Sequence, residues 1–251
     1  MFDTHAHYDD EKYAGETDLI IANAFKSGVK YIINAGISKE TSLFGKNLSE
    51  SYQGIYFSAG VHPHEAQKYD ENLNEWLEPL LMHPKCVAVG EIGLDYHYDF
   101  SPRNIQAEIF KYQLEIALKY NKPVIIHDRE AHKDCIDTVL SYKDLKGVFH
   151  SFSGSAETAK LLQQQGWYLS FNGIVTFKNA ENPRKALLAV DDDKLLIETD
   201  CPYLTPHPFR GKRNDSSYLE HIVSAIAEIR GESVEHIIKI TTQNAKNLFK
   251  L

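Results

Sequence analysis

Short β-rich runs alternate with helix-like runs from one end of this 251-residue chain to the other. That rhythm restricts the fold more than any other feature. Strands are expected at residues 1–5, 29–34, 55–60, 87–90, 124–127, 147–150, 168–171 and 195–198. Several are near-continuous apolar runs, such as Val29-Lys30-Tyr31-Ile32-Ile33 and Val124-Ile125-Ile126. Such runs suit parallel strands covered on both faces. Residues 102–120 read as a helix, with Ser101 to cap it and Pro102 in the first turn. Ile105, Ile109, Tyr112, Ile116 and Tyr120 give its expected buried face. A second helix starts at Ser155 and ends near Gly166, and helices over 219–229 and 233–248 close the chain. About eight such units in this length predict an α/β fold, a (β/α)8 TIM-type barrel forming one domain over residues 1–251. A doubly wound open sheet is the competitor, but no Gly-rich turn follows the first strand. Residues 201–217, rich in Pro, Gly and basic side chains, read as a long functional loop.

Hydrophobic content of 43% and charged content of 25% are those of an ordinary globular protein. Cys86, Cys135 and Cys201 are odd in number and far apart, which implies neither a disulfide framework nor a structural zinc site. No signal peptide is read at the N-terminus and no apolar run approaches a membrane span, so a cytoplasmic protein is expected. The net charge of −8 argues against sequence-independent coating of nucleic acid. It leaves room for an enzyme that grips a nucleic-acid end, because bound divalent cations reverse the local field. No protein partner is read from the chain, and a monomer or weak oligomer is expected.

Side chains alternate across a strand, so His5 and His7 point the same way and can share one ion. Other metal-ligating residue types recur at the ends of later strands: His62 and His64, Glu91, His127, His150 and Asp200. In a barrel these ends open on one face, where catalytic residues gather. A lone strand-end histidine is ordinarily a satisfied polar group. The coincidence of several is what points to metal. Glu91 sits between Gly90 and Gly93, which permit close backbone approach, and its carboxylate can bridge two cations. Imidazoles mixed with carboxylates suit Zn²⁺, Mn²⁺ or Mg²⁺. Six ligands are too many for one tetrahedral catalytic site, so two divalent ions are expected. Glu198 shares a face with Asp200, without a decided role. His62 reads as an outer-shell partner, a substrate contact or a plain loop residue, and Arg129 adds a cation beside the site. Arg210, Lys212 and Arg213 form a basic knot that is either a solvated loop or an anion grip. For Tyr96, Tyr98 and Phe100, packing around a loop is favoured over base stacking.

The segments Phe2-Asp3-Thr4-His5-Ala6-His7, Gly60-Val61-His62-Pro63-His64, Gly90-Glu91-Ile92-Gly93-Leu94-Asp95, Pro123-Val124-Ile125-Ile126-His127-Asp128-Arg129, His150-Ser151-Phe152-Ser153-Gly154, Ile197-Glu198-Thr199-Asp200 and Arg210-Gly211-Lys212-Arg213-Asn214 occur in this order along nearly the whole chain. Together they resemble the TatD family of metal-dependent deoxyribonucleases. The resemblance implies a barrel hydrolase that cleaves phosphodiesters, often as a 3′–5′ exonuclease on single strands, with single-stranded DNA as the expected substrate. It implies a first metal on His5, His7 and Asp200, a second on His127 and His150, and Glu91 bridging them. In that setting Glu91 and Asp200 are the expected catalytic residues, and His62, Arg129, Arg210 and Arg213 the expected substrate contacts. The chain departs from the family pattern at Tyr8, at Cys201 and at Asp215-Ser216-Ser217 after Asn214. The last departure leaves the substrate loop open. The alternative is a metal-dependent hydrolase of an amide, lactone or other carbonyl substrate. Retention of six candidate ligands disfavours a non-catalytic binding module.

Overall fold

A computed structural model of the protein describes residues 1–69 and 72–251. The first half carries β1 (Phe2–Ala6), α1 (Thr17–Lys26), β2 (Tyr31–Asn34), α2 (Lys39–Ser51), β3 (Ile55–Ala59), α3 (Leu73–Leu81), β4 (Cys86–Asp95) and α4 (Arg103–Lys119). The second half carries β5 (Val124–Arg129), α5 (His132–Leu140), β6 (Gly147–Phe149), α6 (Ala156–Gln164), β7 (Tyr168–Phe171), α7 (Glu181–Ala189), β8 (Leu195–Ile197), α8 (Leu219–Arg230) and α9 (Val234–Phe249). The eight strands make one sheet in chain order. Parallel strands alternating with helices are the (β/α)8 class of α/β fold expected from the sequence. No helix among the described residues is long and apolar enough to cross a membrane.

The chain divides into two compact units. One comprises residues 1–34, 151–247 and 251. Here β1 pairs with β2, Phe2 opposite Tyr31, and β7 with β8, Leu169 opposite Leu195. Phe2, Ile32, Leu169, Leu196, Ile222 and Ile226 are buried in its core. The other unit comprises residues 35–150 and 248–250. In it β3, β4, β5 and β6 pair side by side over a core that includes Phe57, Val89, Ile92, Phe110 and Leu114.

Strand boundaries fall within a few residues of expectation, except at β4. That strand does not stop at Gly90 but runs to Asp95, pairing Ile92 with Ile126 and Asp95 with Arg129. The glycines make this possible. A Cβ on Gly90 would stand 2.7 Å from Cβ of Ile125, and one on Gly93 would collide with the His127 carbonyl. Both have positive φ, 158° and 150°, which disfavours any other residue.

Helix α4 also departs from expectation. Ser101 does not cap it; its hydroxyl donates to the His64 carbonyl at 3.0 Å and accepts from the Gln67 amide at 3.1 Å. The buried face is Gln106, Ile109, Phe110, Gln113, Leu114, Ile116 and Ala117, whereas Ile105, Tyr112 and Tyr120 are half-buried. The two glutamines displace the expected stripe because each clamps a loop backbone. Gln106 accepts from the Asp95 amide and donates to the Asp95 and Ser101 carbonyls. Gln113 accepts from the Val61 amide at 2.7 Å and donates back to the Val61 carbonyl at 3.0 Å. Helix α6 is capped as expected, with the Ser155 hydroxyl accepting from the Thr158 amide.

Candidate metal centre

In the first unit, β1 presents His5 and His7 on one side, and β8 leads into Asp200. Main-chain bonds lock the two segments: the Asp200 amide donates to the His5 carbonyl at 2.9 Å, and the His7 amide to the Cys201 carbonyl at 2.8 Å. The three side chains then face one another. His5 Nε2 and His7 Nε2 are 3.1 Å apart, and they stand 3.9 and 3.5 Å from Asp200 Oδ1. Ligand atoms held ~2.1 Å from one ion in a tetrahedral array stand about 3.4 Å apart, so this triangle fits a divalent cation. Asp3 braces it from below. Fully buried, its carboxylate accepts from the Thr199 amide and hydroxyl at 2.9 and 2.6 Å and from the Ser216 hydroxyl at 2.6 Å. Burial pushes the Asp3 carboxyl up to about 6, against the pull of those donors. The same bonds pin the turn that carries Asp200. Glu198 accepts from the Ser151 amide at 2.6 Å.

In the second unit, Glu91, His127, His150 and His62 come together. Glu91 Oε1 lies 2.7 Å from His127 Nδ1, 2.8 Å from His150 Nε2 and 3.5 Å from His62 Nε2. His127 Nδ1 and His150 Nε2 are 3.4 Å apart. Three donor atoms again converge, the two imidazole nitrogens 3.4 Å apart and both within hydrogen-bond distance of the carboxylate oxygen. The far nitrogen of His127, Nε2, sits 3.1 Å from Oδ2 of fully buried Asp95. This is the carboxylate–imidazole arrangement that orients metal-ligating histidines and raises their basicity. Asp95 Oδ2 also takes a hydrogen bond from His64 Nε2 at 2.9 Å. Burial alone would lower the His127 pKa, but hydrogen bonds to Asp95 and Glu91 lift it above the ordinary value. Burial raises the Asp95 carboxyl, but donation from His127 and His64 outweighs it and holds the group well below the usual range. His62 is pushed down to about 3 by burial and by the charge of His127, which leaves it neutral. Its Nδ1 accepts from the His64 amide at 3.1 Å, which assigns the ring hydrogen to Nε2, facing Glu91.

The arginines divide. Arg129 lies over the Tyr98 ring, 4.7 Å from its centroid. Arg210 lies 3.9 Å over Phe177, beside a 360 Å³ cleft that includes Lys178 and His207. Arg213 is engaged with Glu16 at 2.6 Å and with the Lys12 carbonyl, so it holds its loop against the start of the chain. Asp95 and Asp3 escaped sequence reasoning. Each works through a partner remote in sequence, and only Asp95, closing the Gly-rich segment at a strand end, carried any signal.

The whole chain has relatives. Residues 2–250 match the sequence model of a family described as TatD related DNase. An uncharacterized metal-dependent hydrolase of Bacillus subtilis (strain 168), YabD, is 43% identical over 254 residues, covering 100% of this chain and 99% of its own. The 3′-5′ ssDNA/RNA exonuclease TatD of Shigella flexneri serotype 5b (strain 8401) is 33% identical over 256 residues, covering 99% and 98%. The crystal structure of YJJV, a TatD homolog from Escherichia coli K12, superposes with a TM-score of 0.94 at 29% identity, covering 100% and 98%. This chain therefore belongs to the family of TatD related DNases and is a metal-dependent hydrolase.

Proposed function

We propose that the enzyme removes nucleotides from the 3′ end of single-stranded DNA, using two divalent ions. His5, His7 and Asp200 would hold one, His127 and His150 the other, and Glu91 would be their shared ligand. The observation that carries this reading is the convergence of imidazole and carboxylate donor atoms in each set at separations of 2.7–3.9 Å. The name of the Shigella relative supports the substrate. Bound divalent ions supply Lewis acidity toward a phosphoryl oxygen and lower the pKa of a water molecule.

The chain's own groups do the rest. Water adds its oxygen to phosphorus and gives its proton to Asp200, the carboxylate at the mouth of the first set. The bond from phosphorus to the departing nucleoside oxygen breaks, and that oxygen takes up a proton from solvent. Neutral His62, its Nε2 hydrogen toward Glu91, keeps that carboxylate oriented while adding no charge near the anionic substrate. Arg129 and Arg210, exposed guanidinium groups, hold flanking phosphates. Three buried free cysteines fit a reducing compartment, which supports a place in the cytoplasm.

The test assays wild type, Glu91→Ala and Asp200→Asn on single-stranded oligonucleotides with Mg²⁺ or Mn²⁺, beside a carbonyl ester. Wild type is expected to shorten the oligonucleotide from its 3′ end, and each variant to lose about a hundredfold or more in rate. Wild-type rates in both variants would overturn the assignment. Turnover of the ester with no cleavage of DNA would transfer the site to carbonyl chemistry.

A further inference from the structure

Beyond β4 the chain turns outward and displays two aromatic rings. Tyr98 and Phe100 stack on each other, centroids 5.2 Å apart and planes at 16°. They are 46% and 59% exposed, so each keeps a large part of its surface open to solvent. Their place is set from the candidate metal centre. Asp95, whose Oδ2 holds His127, accepts from the Tyr98 amide through Oδ1 at 2.8 Å. His64, bonded to the same Oδ2, meets both rings edge-on, 5.4 Å from Tyr98 and 4.8 Å from Phe100. His64 in turn is 6.2 Å from the His127 ring. The aromatic pair thus lies one imidazole away from His127. Arg129 stands 4.7 Å over Tyr98, and among the described residues no carboxylate pairs with it.

An exposed flat ring backed by a second ring, with an uncompensated guanidinium alongside, matches one nucleotide: a base with a π-face and a phosphate. We infer that Phe100, supported by Tyr98, is the stacking platform for a base next to the cleaved nucleotide, and that Arg129 receives its phosphate. This rests on the phosphodiesterase reading and deepens it. Every base has a π-face, so the platform is indifferent to sequence. A base must leave its duplex neighbours to reach the platform, so single strands are preferred.

The test uses metal-loaded enzyme and the variants Phe100→Ala, Phe100→Leu, Phe100→Trp and Tyr98→Ala. One readout is the ratio of kcat/KM on an oligonucleotide to kcat/KM on bis(p-nitrophenyl) phosphate, which offers no base. The other is the fluorescence of 2-aminopurine near the 3′ end of a cleavage-resistant phosphorothioate oligonucleotide, quenched when the base stacks. Phe100→Ala and Phe100→Leu are expected to lower the ratio about ten- to a hundredfold and to relieve the quench, while Phe100→Trp keeps both. Tyr98→Ala falls in the same direction. If wild type cuts oligonucleotides and all four variants keep its ratio and its quench, the platform is wrong and the phosphodiesterase reading stands. If wild type cuts no oligonucleotide, both fall together.

Discussion

Asp95 decides which nitrogen of His127 faces Glu91 and the proposed cation. By binding Nε2 it leaves Nδ1 turned toward Glu91 and His150, and it holds the ring in that pose at no cost in coordination. Asp95→Asn keeps the shape but replaces the charged acceptor with an amide. The expected outcome is a loss of about 10- to 100-fold in metal affinity, measured by chelator competition, with unchanged circular dichroism. Unaltered affinity would make Asp95 a packing residue. The candidate ligands were readable from the sequence because strand alternation and strand ends are local signals: His5 and His7 differ by two positions, and Glu91, His127 and His150 each close or interrupt an apolar run. Asp95 was not readable as a partner. The His127 it orients is 32 residues away, and nothing local announces that pairing.

At the scale of elements, α4 and β4 carry the load. Helix α4 pays two buried amides to fasten loops, and Gln113 satisfies both polar groups of the Val61 backbone beside His62. Gln113→Leu orphans that amide and carbonyl. A loss of about 1–3 kcal/mol is expected in urea unfolding, and a midpoint equal to wild type would show that water replaces the glutamine. Hydrophobic periodicity misplaced this helix face because it assigns every glutamine to solvent. Strand β4 was expected only over residues 87–90, yet its glycines admit the neighbouring strand and let it run on to Asp95. Gly93→Ala forces a side chain against the His127 carbonyl at positive φ. It is expected to cost ~3 kcal/mol and to lower soluble expression. Wild-type stability would mean that β4 and β5 can separate locally.

For the whole molecule, all eight strands were legible in order from their short apolar runs, whereas among the helices only α4, α6, α8 and α9 were placed by their own patterns. The three cysteines are buried in this framework, and burial pushes the Cys86 and Cys201 thiols up to about 12. Native protein is therefore expected to react with a thiol reagent such as DTNB no faster than it unfolds, and rapid labelling of any cysteine would contradict this packing. The ligand sets add a further property. Ion binding stabilises the folded state, by about 4 kcal/mol at a thousandfold excess over Kd, so exhaustive chelation is expected to lower Tm. The most direct measurement is a crystal soaked in Mn²⁺ and read by anomalous scattering. The expected result is two peaks ~3.5–4 Å apart, one within coordination distance of His5, His7 and Asp200, the other of His127 and His150, with Glu91 touching both. A single peak, or peaks away from these side chains, would contradict the two-ion centre.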